Sequence, residues 1–204
     1  MTILSIELSH RPASIAISIE EKIAASLVWE SEDPGKELFT AINAIVKMAK
    51  IDKKKISLFV PSLGPGSWTG IRLGMGAAIG MAEANMEKLY PVGSLDGIGY
   101  ALRHNGKRAI IFSATEQKFH SAIFSSDRDA LHTEPFATLN EEDTRIRLQG
   151  CKIVACADSS VEQTFLNSQR ITLTIPPQAA LNALLALRRK SLGIPPTLSP
   201  FYEK

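Results

Sequence analysis

Apolar and polar positions along this chain change period several times, and each change marks an element. Residues 3–8, I-L-S-I-E-L, are an apolar run of strand length. Residues 14–19, S-I-A-I-S-I, alternate small polar with apolar side chains, as a half-buried strand does. With residues 23–29 they predict an antiparallel meander of three strands. Over 36–50 the spacing becomes helical, with Leu38, Ile42, Ile45, Val46 and Ala49 on one face. A short strand over 56–60 ends at Pro61; a brief strand at 90–93 and a helix over 94–104 starting at Ser94 close this first set. After Asn105-Gly106 a similar order returns. It runs through strands 108–114, 119–125 and 131–138, a helix over 140–148, a strand over 152–157, a helix over 159–167, a strand over 171–175 and a closing helix over 176–192. The repetition predicts an α/β protein of duplicated lobes, with mixed sheets flanked by helices. The break places an N-terminal lobe at 1–106 and a smaller C-terminal lobe at 107–204, ending in a proline-rich tail.

One segment departs from the usual one-sided pattern. A glycine-rich turn, Gly64-Pro65-Gly66-Ser67-Trp68-Thr69-Gly70, opens into a helix whose stretch Leu73–Ala82 has no charged or hydrogen-bonding side chain. At 3.6 residues per turn, Ile71, Met75, Ile79, Ala82 and Met86 form one apolar face. Gly70, Leu73, Gly74, Ala77, Met81 and Ala84 form a second, rich in small residues. A surface helix shows a single apolar stripe. The first face is therefore expected to cover the domain's own sheet, and the second to need a partner.

Composition narrows the classes. The chain is 45% hydrophobic and 22% charged with net charge +2, so it lacks the dense basic signature of a dedicated nucleic-acid binder. The basic runs 53–55 and 188–190 read as solvated element ends. No unbroken apolar run is long enough to span a bilayer, and the first residues lack a signal peptide's basic start and apolar core. A cytoplasmic location is the expectation. Cys151 and Cys156, five apart, read as buried apolar residues pointing to opposite strand faces.

The turn is not a nucleotide loop of the common kinds. A P-loop needs Lys then Ser or Thr after its second glycine, and Ser67-Trp68 stand there; the dinucleotide fingerprint fails because the third glycine comes one residue late. His10, His104, His120 and His132 offer no pair four apart that would share a helix face as metal ligands, so no metal site is expected. Ser67 has no G-x-S-x-G elbow.

The heptapeptide followed by Ile71-Arg72-Leu73-Gly74 resembles the G-P-G-S-F-T-G-[IV]-R-[IL]-G signature of the TsaB family, with Trp68 in place of phenylalanine. I-L-S-I-E-L-S resembles that family's opening I-L-x-I-D-T-S, and Pro200-Phe201-Tyr202 its closing P-x-Y-L-R. The match touches most of the chain and is sharp over Gly64–Gly74. The resemblance implies duplicated actin-like ATPase lobes of ribonuclease H-like form. It also implies a role as an accessory subunit for N6-threonylcarbamoyladenosine formation at position 37 of tRNA. The implied partners are a TsaD-type catalytic subunit and a TsaE-type ATPase, with tRNA met through the complex. Since two-fold dimers are the commonest assembly, a homodimer through the small-residue face of the helix after Gly70 is expected when the chain is alone. No catalytic residue and no resident cofactor are implied, beyond ATP or ADP at the partner interface. The implied interface is Gly70, Leu73, Gly74, Ala77, Met81 and Ala84; the nucleotide-proximal set is Glu7, Ser9, Gly64, Gly66 and Arg72.

Two positions depart from the family pattern. Glu7 stands where an aspartate ends the first strand, and Ala114-Thr115-Glu116 replaces the second lobe's aspartate–alanine–arginine. Glu7 reads either as a ligand-orienting carboxylate or as a strand end in solvent. Arg72 reads either as a cation beside the turn or as a partner of Glu83 or another surface carboxylate. A free-standing actin-like ATPase or kinase is the rival reading, with ATP turnover lost in Glu7→Ala; a peptidase is another.

Overall fold

The computed structural model describes residues 1–102, 106–115, 117–124, 132–156, 161, 164–165, 171–174 and 178–196. It is a mixed α/β protein that divides into two units. The first holds Met1–Gly97 and takes back the closing helix; the second holds Ile98–Pro176.

In the first unit β1 (Thr2–Glu7), β2 (Ala13–Ile19) and β3 (Lys22–Trp29) form the expected antiparallel meander. β4 (Leu58–Pro61) and β5 (Lys88–Leu89) add in parallel to β1, giving the order β3-β2-β1-β4-β5. A strand covered on both faces reads as a continuous apolar run, and β1 shows why. Leu4 and Ile6 enter a core shared with α1 (Pro34–Met48) and α2 (Trp68–Asn85). Ile3 enters a second core, with Tyr90, Val92, Ala183 and Ala186.

The second unit repeats this plan. β6 (Arg108–Thr115), β7 (Lys118–Phe124) and β8 (His132–Leu139) are antiparallel, while β9 (Ile153–Cys156) and β10 (Ile171–Thr174) run parallel to β6. Each sheet, counted from its own first strand, reads third-second-first-fourth-fifth. The duplication expected from the order of elements is thus present as shared topology. Further helices are α3 (Ser94–Ala101), α4 (Glu141–Arg147), the latter capped by Asn140, and α5 (Ala179–Ser191).

Some expectations need correction. The closing helix was assigned by sequence order to the second lobe, but Ala183 and Ala186 of α5 pack on the first unit's strands. The division falls at Gly97, inside α3, rather than at 106. Cys151 and Cys156 lie in one apolar cluster, because Cys151 precedes β9 instead of belonging to it. The run 188–190 is not wholly solvated: Arg189 is buried and paired. Most of the helix expected over 159–167, and the tail beyond 196, lie outside the described residues.

Candidate functional site

The glycine turn is built onto the end of β1. Gly64 has φ +83° and Gly66 φ +147°, the left-handed region where a side chain is strained. A Cβ at Gly66 would stand 2.3 Å from the Ser9 carbonyl oxygen, and one at Gly70 only 1.9 Å from that of Leu8. The Ser67 amide donates to the Ser9 carbonyl at 2.7 Å, and Ser67 Oγ accepts from the Gly70 amide at 3.2 Å as the cap of α2. These glycines therefore let the turn and the start of α2 lie directly on β1's backbone.

Glu7, the last residue of β1, is fully buried. The Ser9 amide donates to its Oε1 at 2.7 Å, and the Ser9 hydroxyl donates to the same oxygen. Asn182 Nδ2 of α5 donates to Oε2 at 3.1 Å. Ser9 Oγ also lies 2.6 Å from Ser94 Oγ and 2.8 Å from His10 Nδ1. Burial pushes the Glu7 carboxyl above its ordinary value, against the lowering effect of hydrogen bonds from Ser9, Ser62 and Asn182. The reading of Glu7 as a strand end in solvent is thus overturned, and its oxygens are occupied by its own neighbours.

Beside the turn lies a cavity of about 470 Å³, lined by Ser9, Arg11, Glu32, Asp33, Ser67 and Thr69 among others; Glu7 does not line it. A helix start with exposed amides favours an anion. Glu32 and Asp33 oppose one here, and Lys36 holds Asp33 below its ordinary value and so keeps it charged. The turn's glycines already carry β1's backbone. Arg11 in the same lining favours an anion, so the charges around the cavity are mixed. Among the described residues, no three His, Cys, Asp or Glu side chains converge as a metal ligand set.

The structure redraws the two faces of α2. Its buried line is Gly70, Ile71, Gly74, Ala78 and Ala82. That line runs along the seam between the two expected faces, because small residues at every fourth position let the helix sit close to β1 and β4. Of the expected partner face, Gly70 and Gly74 are covered by β1, and a Cβ at Gly74 would meet Ile6 at 3.3 Å. Ala77 and Met81 pack partly on the first unit's core. Leu73 and Ala84 are exposed. Of the face expected to cover the sheet, Ile79 is 43% exposed and Met86 94%. The outward side carries Gly76 and Gly80 beside the exposed charges of Arg72 and Glu83, with Leu73, Ile79 and Ala84 at its margins, and a Cβ at Gly76 or Gly80 would meet nothing within 4 Å. Arg72 lies over the Trp68 ring at 3.8 Å. Pairing with Glu83 is excluded by helix geometry, since eleven residues rise about 16 Å.

Sequence reasoning missed Asn182 as a partner of Glu7, and the buried pair in which Arg189 donates to Asp96 at 2.9 Å. Neither has a local signal, because both join residues far apart in the chain.

The family TsaD, described as tRNA N6-adenosine threonylcarbamoyltransferase, matches over residues 31–175. A curated relative, the tRNA threonylcarbamoyladenosine biosynthesis protein TsaB of Bacillus subtilis, is 25% identical over 126 residues, 61% of this chain. That match spans 55% of the relative's own length. Among solved structures, YeaZ from Pseudomonas aeruginosa superposes with TM-score 0.82 at 17% identity, covering 99% of both chains. The activator of 2-hydroxyisocaproyl-CoA dehydratase from Clostridium difficile superposes with TM-score 0.59 at 10% identity, covering 98% of this chain and all of that one. At such identities the structural likeness establishes the fold, that of the actin-like ATPases.

Proposed function

We propose a function from one premise: this chain belongs to the TsaD family, in its TsaB branch. It acts as an accessory subunit in the formation of N6-threonylcarbamoyladenosine in tRNA. It docks a TsaD-type catalytic subunit through the outward side of α2 and contributes no reacting group of its own. A TsaE-type ATPase and the tRNA join through that complex. Without the partner the same face pairs two copies of the chain, since two-fold dimers are the commonest assembly.

The observation that carries this reading is the outward pair Gly76 and Gly80. A glycine inside a helix costs about 1 kcal/mol relative to alanine. Inside the subunit nothing approaches either one. A partner helix crossing there would use the missing Cβ atoms to bring its backbone close, with Leu73 and Ile79 as flanking apolar contacts. The chemistry is left to the partner because Glu7 is committed to Ser9 and Asn182.

Native mass spectrometry of the chain mixed with a TsaD-type subunit tests this. A 1:1 complex, lost in Gly76→Arg, is the expected result. A chain that ignores that subunit contradicts it. ATP turnover by the purified chain, abolished in Glu7→Ala, would instead favour a free-standing ATPase.

A further inference from the structure

The parallel strands of the first unit have a second end, away from the glycine turn, where β1, β4 and β5 begin. Lys47 lies in the last turn of α1 and Lys50 just beyond it. Lys53–Lys55 form a single 3-10 turn with no buried residue. Lys88 opens β5 and pairs with Leu58, three residues after Lys55. Side-chain bonds draw these pieces into one corner. Lys53 Nζ donates to Asn43 Oδ1 of α1, and Asn85 at the end of α2 donates to the Lys53 carbonyl at 3.0 Å.

All six lysines are exposed, and among the described residues no ion pair joins any of them to a carboxylate. The nearby acids in sequence are Asp52, Glu83 and Glu87, and Asp52 is engaged in capping the turn through the Lys54 amide at 3.0 Å. Against these three acids the six lysines leave an excess of three positive charges, more than the +2 of the entire chain. A cation near a helix C-terminus complements the helix dipole, which accounts for Lys47. It does not account for three consecutive lysines in a separate turn, or for Lys88 at a strand start.

We propose that this lysine corner binds the phosphodiester backbone of RNA, and that its occupant is the tRNA of the complex proposed above, a reading on which the identity of that RNA rests. Lysine is a flexible point charge suited to phosphate, and phosphate contacts orient a nucleic acid without reading its sequence. The chain thereby holds the tRNA directly, besides holding the catalytic subunit. Met48 and Met86 are exposed beside the corner, which makes an anionic lipid surface the rival occupant. RNA is favoured because the central lysines sit on a short 3-10 turn held by Asp52 and Asn85 and not on an amphipathic helix, the form that lies in a lipid interface.

The test is fluorescence anisotropy of a labelled tRNA with the full chain, from roughly 50 to 200 mM salt. Three phosphate contacts predict about a 20- to 40-fold loss of affinity over that range. The variant Lys53→Gln/Lys54→Gln/Lys55→Gln should bind about ten-fold or more weakly at low salt, with an almost flat salt dependence. Lys118→Gln, on the second unit, should bind as the parent does, and the melting temperature of the triple variant should confirm that it is folded. The proposal is overturned if the triple variant keeps the parent's affinity and slope, if neither binds tRNA, or if phosphatidylserine vesicles are bound through these lysines and tRNA is not. Capture of the TsaD-type subunit, read separately by native mass spectrometry, reports on the α2 face alone, so either reading can fail without the other.

Discussion

Two rows of small residues run along α2, Gly70, Gly74, Ala78 and Ala82 on the inner side and Gly76, Gly80 and Ala84 on the outer. The inner row is explained atom by atom. Gly70 meets the carbonyl of Leu8, Gly74 meets Ile6, and the alanines are buried in the first unit's core. On the outer side, a Cβ at Gly76 or Gly80 would meet nothing within 4 Å, and Ala84 is exposed. One chemical feature, a missing or minimal side chain, is thus required by the fold on one side of the helix and costs stability on the other. Residues that a subunit holds at its own expense point to something outside it.

The comparison makes unequal predictions for the same substitution. Gly70→Ala carries the largest effect. Its Cβ would fall 1.9 Å from a carbonyl oxygen of β1, and backbone cannot yield as a side-chain tip can. A loss of about 4 kcal/mol or more is expected in urea unfolding, at the top of the usual range for single changes. An unaltered unfolding midpoint would show that α2 does not lie this close to β1.

A smaller effect concerns the buried carboxyl beneath the turn. Glu7 holds its proton more tightly folded than unfolded, because burial raises its pKa from 4.5. Its contribution to stability is complete below that unfolded value and is lost as pH rises through the folded one. Glu7→Gln should therefore flatten the fall of stability with rising pH above about 4.5, measured as the difference in unfolding free energy between variant and parent. Asn182 can follow the change by turning its amide, since its Oδ1 has no hydrogen-bond partner among the described residues. Parallel pH profiles for the two proteins would show that the carboxyl is not desolvated.

The smallest effect has the opposite sign. Gly76→Ala and Gly80→Ala should each raise the stability of the isolated chain by up to about 1 kcal/mol, by helix propensity alone. Thermal melts at a protein concentration low enough to keep the chain monomeric would read this. A destabilisation would mean that the outer glycines already serve the fold.

Much of the architecture could be read from the sequence because it is written locally. The alternation at residues 14–19, the four-residue spacing of Leu38, Ile42 and Val46 and the glycine signature each specify an element within a few residues. The order of elements was enough to foresee the duplication that both sheets display. Long-range features were not legible. Nothing near Ala183 indicates that α5 covers the first sheet, and Asn182 stands 175 residues from the carboxyl it binds. Within α2, periodicity showed an excess of apolar surface but divided it wrongly. Hydrophobicity drew attention to Ile79 and Met86, whereas closest approach is governed by the small residues at 70, 74, 78 and 82. The four-residue spacing of those small side chains was the signal available for finding the buried line.

The outer side of α2 is the face proposed to dock a TsaD-type subunit. The most direct measurement is titration calorimetry of that subunit with Gly76→Arg, alongside the variant's melting temperature. The prediction is a melting temperature at or a few degrees above the parent's, since arginine is a better helix former than glycine, with the heat of binding abolished. A folded variant that binds as tightly as the parent would contradict it.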